Sequence, residues 1–277
     1  MKTSDLIYSV FIYFVIFICS FYINSNNLDP GLKVYFWDVG QGDATYIVTP
    51  NGNNILIDGG DNFESDYKLS KLIPFFSCKL DAMILTHPHY DHIKGLNRIM
   101  NRCKISTVMF NDVDFTSRDF SYFKDLSKKF KTINVYQGDS FVIDGVTFKI
   151  LWPTPEFLQT KIADINEVSV IVFLDYGDFE AIFLGDAGSE DLAKIDLNSI
   201  KSLIDGDLEV LKVPHHGSRF GLNKAFYEEL KPKNCIISVG KDNKFGHPTK
   251  EVVEYLLDTG CNILRTDLDG DIVVNKK

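Results

Sequence analysis

All six histidines of the 277-residue chain fall in three short stretches. His87, His89 and His92 lie in THPHYDH together with Asp91, His215 and His216 are adjacent in KVPHHGS, and His247 sits in FGHPT. Neutral imidazoles and carboxylates are good ligands for zinc, manganese or iron, and catalytic sites draw them from loops while leaving a position for water. A tight turn can direct His87 and His89 to one ion and Asp91 and His92 to a second. Two ions about 3.5 to 4 Å apart share a hydroxide nucleophile and clamp the charge of a phosphoryl or acyl transition state. A lone histidine is more often a surface or core residue than a ligand, but six gathered in three loops reverse that expectation. Asp186, closing the run AIFLGD, adds a carboxylate at a comparable place, where burial demands a cation or exposure to water.

Each of these loops must be held at the end of a strand. Apolar runs bounded by glycine and asparagine (KVYFWDV, TYIVT, NILIDGG) predict a strand meander, with PNGN as a hairpin turn. A helical stretch around residues 67–76 follows, and then the strand LDAMIL runs straight into THPHYDH. DHIKGLNRIM reads as a helix starting just after that loop. Asp119 to Phe130 reads as an amphipathic helix with Phe123, Leu126 and Phe130 on one face and lysines on the other. The second half repeats the rhythm: strands in SFVIDGVTFKILWP, a hairpin VSVIVFLDYGDFEAIFLGD, the strand LEVLKVP, a helix at 224–230, the strand NCIISVG, a helix at 250–257 and a closing strand pair. Two strand-rich halves with helices between them predict an α/β fold of two sheets packed face to face under helical outer layers.

The N-terminus stands apart. Residues 6–23, LIYSVFIYFVIFICSFYI, carry no charge over 18 positions, nearly enough at about 1.5 Å per residue to cross a hydrocarbon layer. The reading is an N-terminal hydrophobic helix, a membrane anchor or signal segment with linker over 1–29, followed by one large domain over 30–277. The exit YINSNN lacks the small residues of a cleavage site, which favours an anchor, with the folded part outside the cytoplasm or secreted. The formal charge of −9 argues against a surface that binds nucleic acid everywhere, leaving local patches at 124–131 or 212–219. The five cysteines form no CxxC pair and no even-numbered framework, so they are expected as buried thiols, neither zinc ligands nor disulfides.

THPHYDH fits the HxHxDH signature of the metallo-β-lactamase superfamily, and the chain resembles that family in two further motifs. NILIDGG is similar to its first motif, which makes Asp58 the residue supporting the metal loop. LGDAG is similar to the motif whose aspartate, here Asp186, bridges two ions. VYFWDVGQGDATYI, LKVPHHGSRF, IISVGKDNKFGHPTKEVVEYL and ILRTDLDGDIVV together resemble the metallohydrolase domain of ComEC-type DNA-uptake proteins, over roughly residues 32 to 274.

The resemblance implies the four-layer αβ/βα sandwich of the metallo-β-lactamase fold and two divalent ions, Zn2+ or Mn2+. The ligands it implies are His87, His89, Asp91, His92, Asp186 and His216, and His247 either completes a metal sphere or contacts a phosphate. It implies a hydrolase, foremost a phosphodiesterase or nuclease, with Asp91, Asp186 and His215 as catalytic groups. One departure stands out: the superfamily's further histidine between HxHxDH and the bridging aspartate is missing, since no histidine lies between His92 and His215. NEVSV occupies that place, so Asn166 or Ser169 is expected to approach the site. His215 replaces a glycine of the superfamily's turn and is read as a substrate contact or proton shuttle, with Ser218 as a further substrate contact. Asp38, Gln41 and Asp43 of DVGQGD either line the site or serve a tight turn. Thr249 is equally the N-cap of the next helix.

No helix follows the G-x-G of that stretch, so no nucleotide cofactor is expected. DNA or a cell-wall phosphodiester is the expected substrate, with a lactone or β-lactam as alternatives and a non-catalytic metal-binding surface protein as the remaining reading. Without a multi-helix channel segment, uptake of DNA would need a separate channel or competence partner.

Overall fold

A computed structural model describes residues 8, 12–16 and 31–277. The N-terminal apolar segment predicted at 6–23 therefore falls largely outside the described residues. Among those described, no helix is long and apolar enough to cross a membrane.

Two seven-stranded sheets form the frame. The first runs, edge to edge, β16 (Ile272–Lys276), β1 (Leu32–Phe36), β2 (Thr45–Val48), β3 (Asn54–Ile57), β5 (Ala82–Ile84), β7 (Thr107–Met109) and β8 (Lys131–Ile133). The second runs β15 (Asn262–Arg265), β14 (Asn234–Ile237), β13 (Val210–Lys212), β12 (Phe179–Phe183), β11 (Ile171–Tyr176), β10 (Val146–Trp152) and β9 (Ser140–Ile143). A small pair, β4 (Lys79–Leu80) with β6 (Lys104–Ile105), lies apart from both. Each sheet is antiparallel on one side and parallel on the other: β3, β5, β7 and β8 run parallel in the first, and β12 to β15 in the second.

The period-two alternation of side chains sorts the apolar residues into three layers. Ile55 and Ile57 of β3 face the second sheet, where Val172 and Leu174 of β11 and Ala181 and Phe183 of β12 meet them. Leu56, between them, points the other way. It packs under α1 (Glu64–Leu72), α2 (Tyr90–Met100) and α3 (Arg118–Ser127) with Leu69, Leu96, Ile99, Phe120 and Phe123. Ile171, Phe173 and Ile182 likewise turn away from the centre. Four helices cover them: α4 (Ser189–Leu192), α5 (Leu197–Lys201), α6 (Lys224–Leu230) and α7 (Lys250–Asp258). A one-turn helix, α8 (Thr266–Asp269), precedes β16. Helix, sheet, sheet, helix is the sandwich the strand and helix pattern predicted.

The cysteines depart from expectation. Cys78 is bonded to Cys103 and Cys235 to Cys261, with sequence separations of 25 and 26. Each bridge closes a strand–helix unit: the first spans β5 and α2, the second runs from β14 past α7. The odd count came from Cys19, in the N-terminal segment. The four cysteines of the sandwich pair across neighbouring elements, which spacing along the chain does not reveal.

Candidate metal centre

Both sheets deliver their functional loops to the same edge, because the parallel strands β3, β5, β12 and β13 all end there. Asp58 follows β3 with φ 58°, and residues 86–89 follow β5. Asp91 and His92 occupy the first turn of α2, whose N-cap is His89. Asp186 follows β12 through Gly185, where an added Cβ would press on Ser169 and Thr86. His215 and His216 follow β13 in consecutive left-handed conformations, φ 51° and 55°. Gly42 of DVGQGD lies so close to α2 that a Cβ would stand 2.0 Å from the Asp91 carbonyl oxygen.

Hydrogen bonds at Nδ1 aim three imidazoles. His92 Nδ1 donates to Asp58 Oδ2 at 2.8 Å, and Asp58 is itself fixed by the Thr86 amide (2.8 Å) and hydroxyl (2.7 Å). The Thr86 hydroxyl, having given its proton to Asp58, accepts from His87 Nδ1 at 3.1 Å. His216 Nδ1 donates to the Ser238 carbonyl at 2.9 Å. The Nε2 atoms then converge on Asp186: His92 at 3.3 Å from Oδ1, and His87 and His216 at 3.8 and 3.6 Å from Oδ2. Asp91 Oδ2 stands 3.4 Å from His216 Nε2.

The donor set fits divalent metal. His92 Nε2, His216 Nε2 and Asp186 Oδ1 are buried with no hydrogen-bond partner, a costly state for polar atoms unless a ligand engages them. Two overlapping triads, His87/His92/Asp186 and Asp91/His92/His216, each bring three donor atoms within 4.8 Å of one another. Asp43 extends the cluster through Asp43/Asp186/His216. The electrostatics agree. Burial would raise the Asp186 carboxyl, but His216 and His92 hold it well below the usual carboxylate range. Burial would lower His92 and His216, yet Asp186 and its neighbouring carboxylates push His92 well up and His216 to about 10. His87 goes the other way, lowered by burial and by His92.

The remaining predicted residues separate into near and structural. His89 is half-buried with Nδ1 3.2 Å from His87 Nε2, outside the triads. His247 has its ring 5.8 Å from that of His215, its buried Nδ1 lacks a partner, and burial and His215 push its pKa below the usual histidine value. His215 is the exposed member of its pair, 26% accessible, with Nε2 4.0 Å from Asp186 Oδ2. Asn166 and Asp186 line one pocket of about 240 Å³ with His215, and Asn166 Oδ1 is buried without a partner. Ser169 Oγ accepts from the Asp186 amide at 3.2 Å, so it places the carboxylate.

Asp38 accepts from the Gly40 amide within its own turn, and Gln41 Oε1 faces the Gly240 amide; both serve the loop. Ser218 caps the short 3-10 turn at Arg219–Gly221. Thr249 is at the N-cap position of α7 without a capping bond, and its hydroxyl donates to Gly217 O.

Three residues escaped prediction: Thr86 and Ser238, which hold imidazoles of the centre, and Lys212. Lys212, counted in a surface patch at 212–219, is only 2% exposed, and its ammonium pairs with Asp43 and reaches Gly185 O at 3.4 Å. The signal was present: β13 reads as a buried parallel strand, where a lysine must meet a counter-charge.

Comparison with known proteins agrees with the geometry. Residues 37–240 match the metallo-beta-lactamase superfamily. The chain belongs to this superfamily. It is a metal-dependent hydrolase by fold, and the fold implies divalent metal at the cluster described above. The chain is 29% identical over 255 residues to ComE operon protein 3 of Bacillus subtilis (strain 168), covering 85% of this chain and 32% of that protein. It is 27% identical over 250 residues to Recombination protein 2 of Haemophilus influenzae, covering 89% and 29%. The chain thus spans about a third of the length of these relatives. Among solved structures, YhfI from Bacillus subtilis, a metallo-beta-lactamase fold protein, superposes with a TM-score of 0.58 at 13% identity over 88% of this chain and 99% of its own. That likeness is one of fold.

Proposed function

We propose that the chain is a dinuclear metal-dependent phosphodiesterase that cleaves DNA, anchored to the membrane or secreted with its folded part outside the cytoplasm. The observation that carries the reading is the convergence of buried, unpartnered His92 Nε2, His216 Nε2 and Asp186 Oδ1 at one point. His87, His89, His92, Asp91, His216 and His247, together with Asp186, would hold two ions, Zn2+ or Mn2+. Such a pair supplies a hydroxide at neutral pH and stabilises charge on phosphoryl oxygens. The chain's own groups do the rest. Asp58, Thr86 and Ser238 fix the imidazole tautomers. His215, 26% accessible, would hand a proton to the leaving oxygen, and Asn166, which lines the same pocket, would stand in for the superfamily's further histidine.

The likeness to Recombination protein 2, named for recombination, supports DNA as substrate. Two disulfides support an oxidising location, which suits delivery of DNA by a separate channel partner and an anchor within residues 1–29. The full chain, purified in mild detergent and loaded with manganese or zinc, should turn over bis(p-nitrophenyl) phosphate and single-stranded DNA. Metal-loaded protein that hydrolyses neither overturns the reading.

A second reading has one observation in its favour. The pocket beside His215 is acidic, with Asp164, Glu167, Glu190 and Asp191 around Asp186. That charge suits a phosphodiester with a cationic head group, such as cell-wall phosphorylcholine. Turnover of such an ester that persists where DNA cleavage is absent would favour it.

A further inference from the structure

The sequence placed candidate nucleic-acid contacts at 124–131 or 212–219, yet Lys212 is buried and Lys124 is tied to Asp112 at 3.1 Å. A different surface meets the requirement. Between α2 and α3 lies an open groove of about 750 Å³, lined by Phe63, Lys94, Asn97, Arg98, Arg118 and Tyr122 among others. It begins beside the metal loop, because Lys94 stands one helical turn beyond Tyr90 and Asp91 and Arg98 one turn further, about 6 Å apart along the axis. Tyr90, 49% exposed, sits at the junction.

Cations and exposed rings line this groove together. Phe63 is 60% and Tyr122 47% exposed. The Arg98 guanidinium lies over the Phe63 ring at 5.6 Å, and Tyr122 is held by Asn101 at 3.0 Å, so both rings are positioned rather than free to collapse. Among the described residues Arg118 makes no ion pair and Lys94 no direct one, its charge acting on Asp61 from a distance, whereas Arg98 Nε is held by Asp66 at 3.3 Å; of the two carboxylates on the rim, Asp125 is taken by Lys128 at 2.7 Å and Asp119 follows Arg118 in the first turn of α3. Asn97 Oδ1 is buried in the groove wall without a partner. Solvent-facing cations such as Lys94 and Arg118 beside fixed aromatic faces are what a flexible polyanion with stackable bases requires, whereas a rigid duplex hides its bases from such rings.

We propose that the α2–α3 groove binds single-stranded nucleic acid and leads it to the metal centre, with Lys94 and Arg118 on the phosphates and Phe63 and Tyr122 under the bases. The proposal rests on the phosphodiesterase reading for its substrate class, and two separate assays keep them apart. Binding is read by fluorescence anisotropy of a labelled oligothymidine in EDTA, which needs no catalysis. The metal site is read by bis(p-nitrophenyl) phosphate turnover, which needs no groove.

The Lys94→Ala/Arg118→Ala variant should bind the oligonucleotide at least tenfold more weakly, and its log–log salt slope should fall by about 1.4, at about 0.7 per phosphate contact on a single strand. Phe63→Ala/Tyr122→Ala should weaken binding about tenfold with the slope unchanged. Lys224→Ala/Lys250→Ala, on the opposite helical layer, removes the same charge and should leave affinity within twofold. The proposal is overturned if the wild-type chain does not bind at low salt, if the two lysine-containing variants lose affinity equally, or if duplex DNA binds as tightly as the single strand. Loss of ester turnover with binding intact would instead remove the phosphodiesterase reading and leave the groove standing.

Discussion

The Asp58 carboxylate decides which nitrogen of His92 faces the site, since it takes the Nδ1 proton at 2.8 Å. An Asp58→Asn variant presents an amide in its place, and metal affinity should fall about 10- to 100-fold, as for other residues that orient a ligand from behind, measurable by competition with a chromophoric chelator. The same centre dictates a pH dependence. In the metal-free protein the carboxylates around His216 raise it to about 10 and hold His92 well up. Stability from these pairs is full below the ordinary histidine value near 6.5 and is lost as pH rises through about 10 for His216. Metal must displace those protons, so affinity should climb between pH 6 and 8, by about tenfold per pH unit for each proton released. An affinity that is flat over this range would contradict the assignment of these imidazoles as ligands. Lys212 makes a different demand. Lys212→Met leaves buried Asp43 with only the imidazoles of His216 and His92, at 3.4 and 3.9 Å, as counter-charge, and unfolding by urea should show a loss of up to about 3 kcal/mol.

At the scale of elements, the sequence was most legible where periodicity and chemistry coincided. The helix expected after THPHYDH begins at Tyr90, and those expected at 224–230 and 250–257 are found at Lys224–Leu230 and Lys250–Asp258. Boundaries slipped where tertiary contacts decide them: the helix read at 67–76 runs over Glu64–Leu72, and Phe130, expected on the buried face of α3, lies beyond its end at Ser127. Disulfides and Lys212 were illegible for a shared reason, since each depends on which strands become neighbours. The bridges have a measurable weight. In the chain-entropy view a loop of this length contributes about 3–4 kcal/mol, so Cys235→Ala/Cys261→Ala should lower the melting temperature by several degrees. β12 carries a second consequence. The buried Glu180 carboxyl is pushed up to about 7 by burial and by Glu209 beside it. A raised carboxyl binds a proton on folding, so its contribution is full below about 4.5 and lost as pH rises through about 7. Glu180→Gln should flatten the melting-temperature profile across that window, and an unchanged profile would contradict the pairing.

For the molecule as a whole, the centre belongs to neither half. The first sheet supplies Asp58, His87, Asp91 and His92, and the second supplies Asp186 and His216, so the ion cluster forms only when the sheets are packed. This was readable in outline from six histidines in three strand-end loops. Which partner fixes each ring was not, because Thr86 and Ser238 act through a hydroxyl and a backbone carbonyl that no motif marks. The last strand, β16, lies antiparallel to the first, with Leu32 opposite Lys276, which sets the two ends of the sandwich within about 5.5 Å of each other. The first and last strands of the sandwich are therefore neighbours in one sheet. A circular permutant that joins these ends through a short glycine linker and opens at the exposed Gly206 should retain metal binding and cooperative melting.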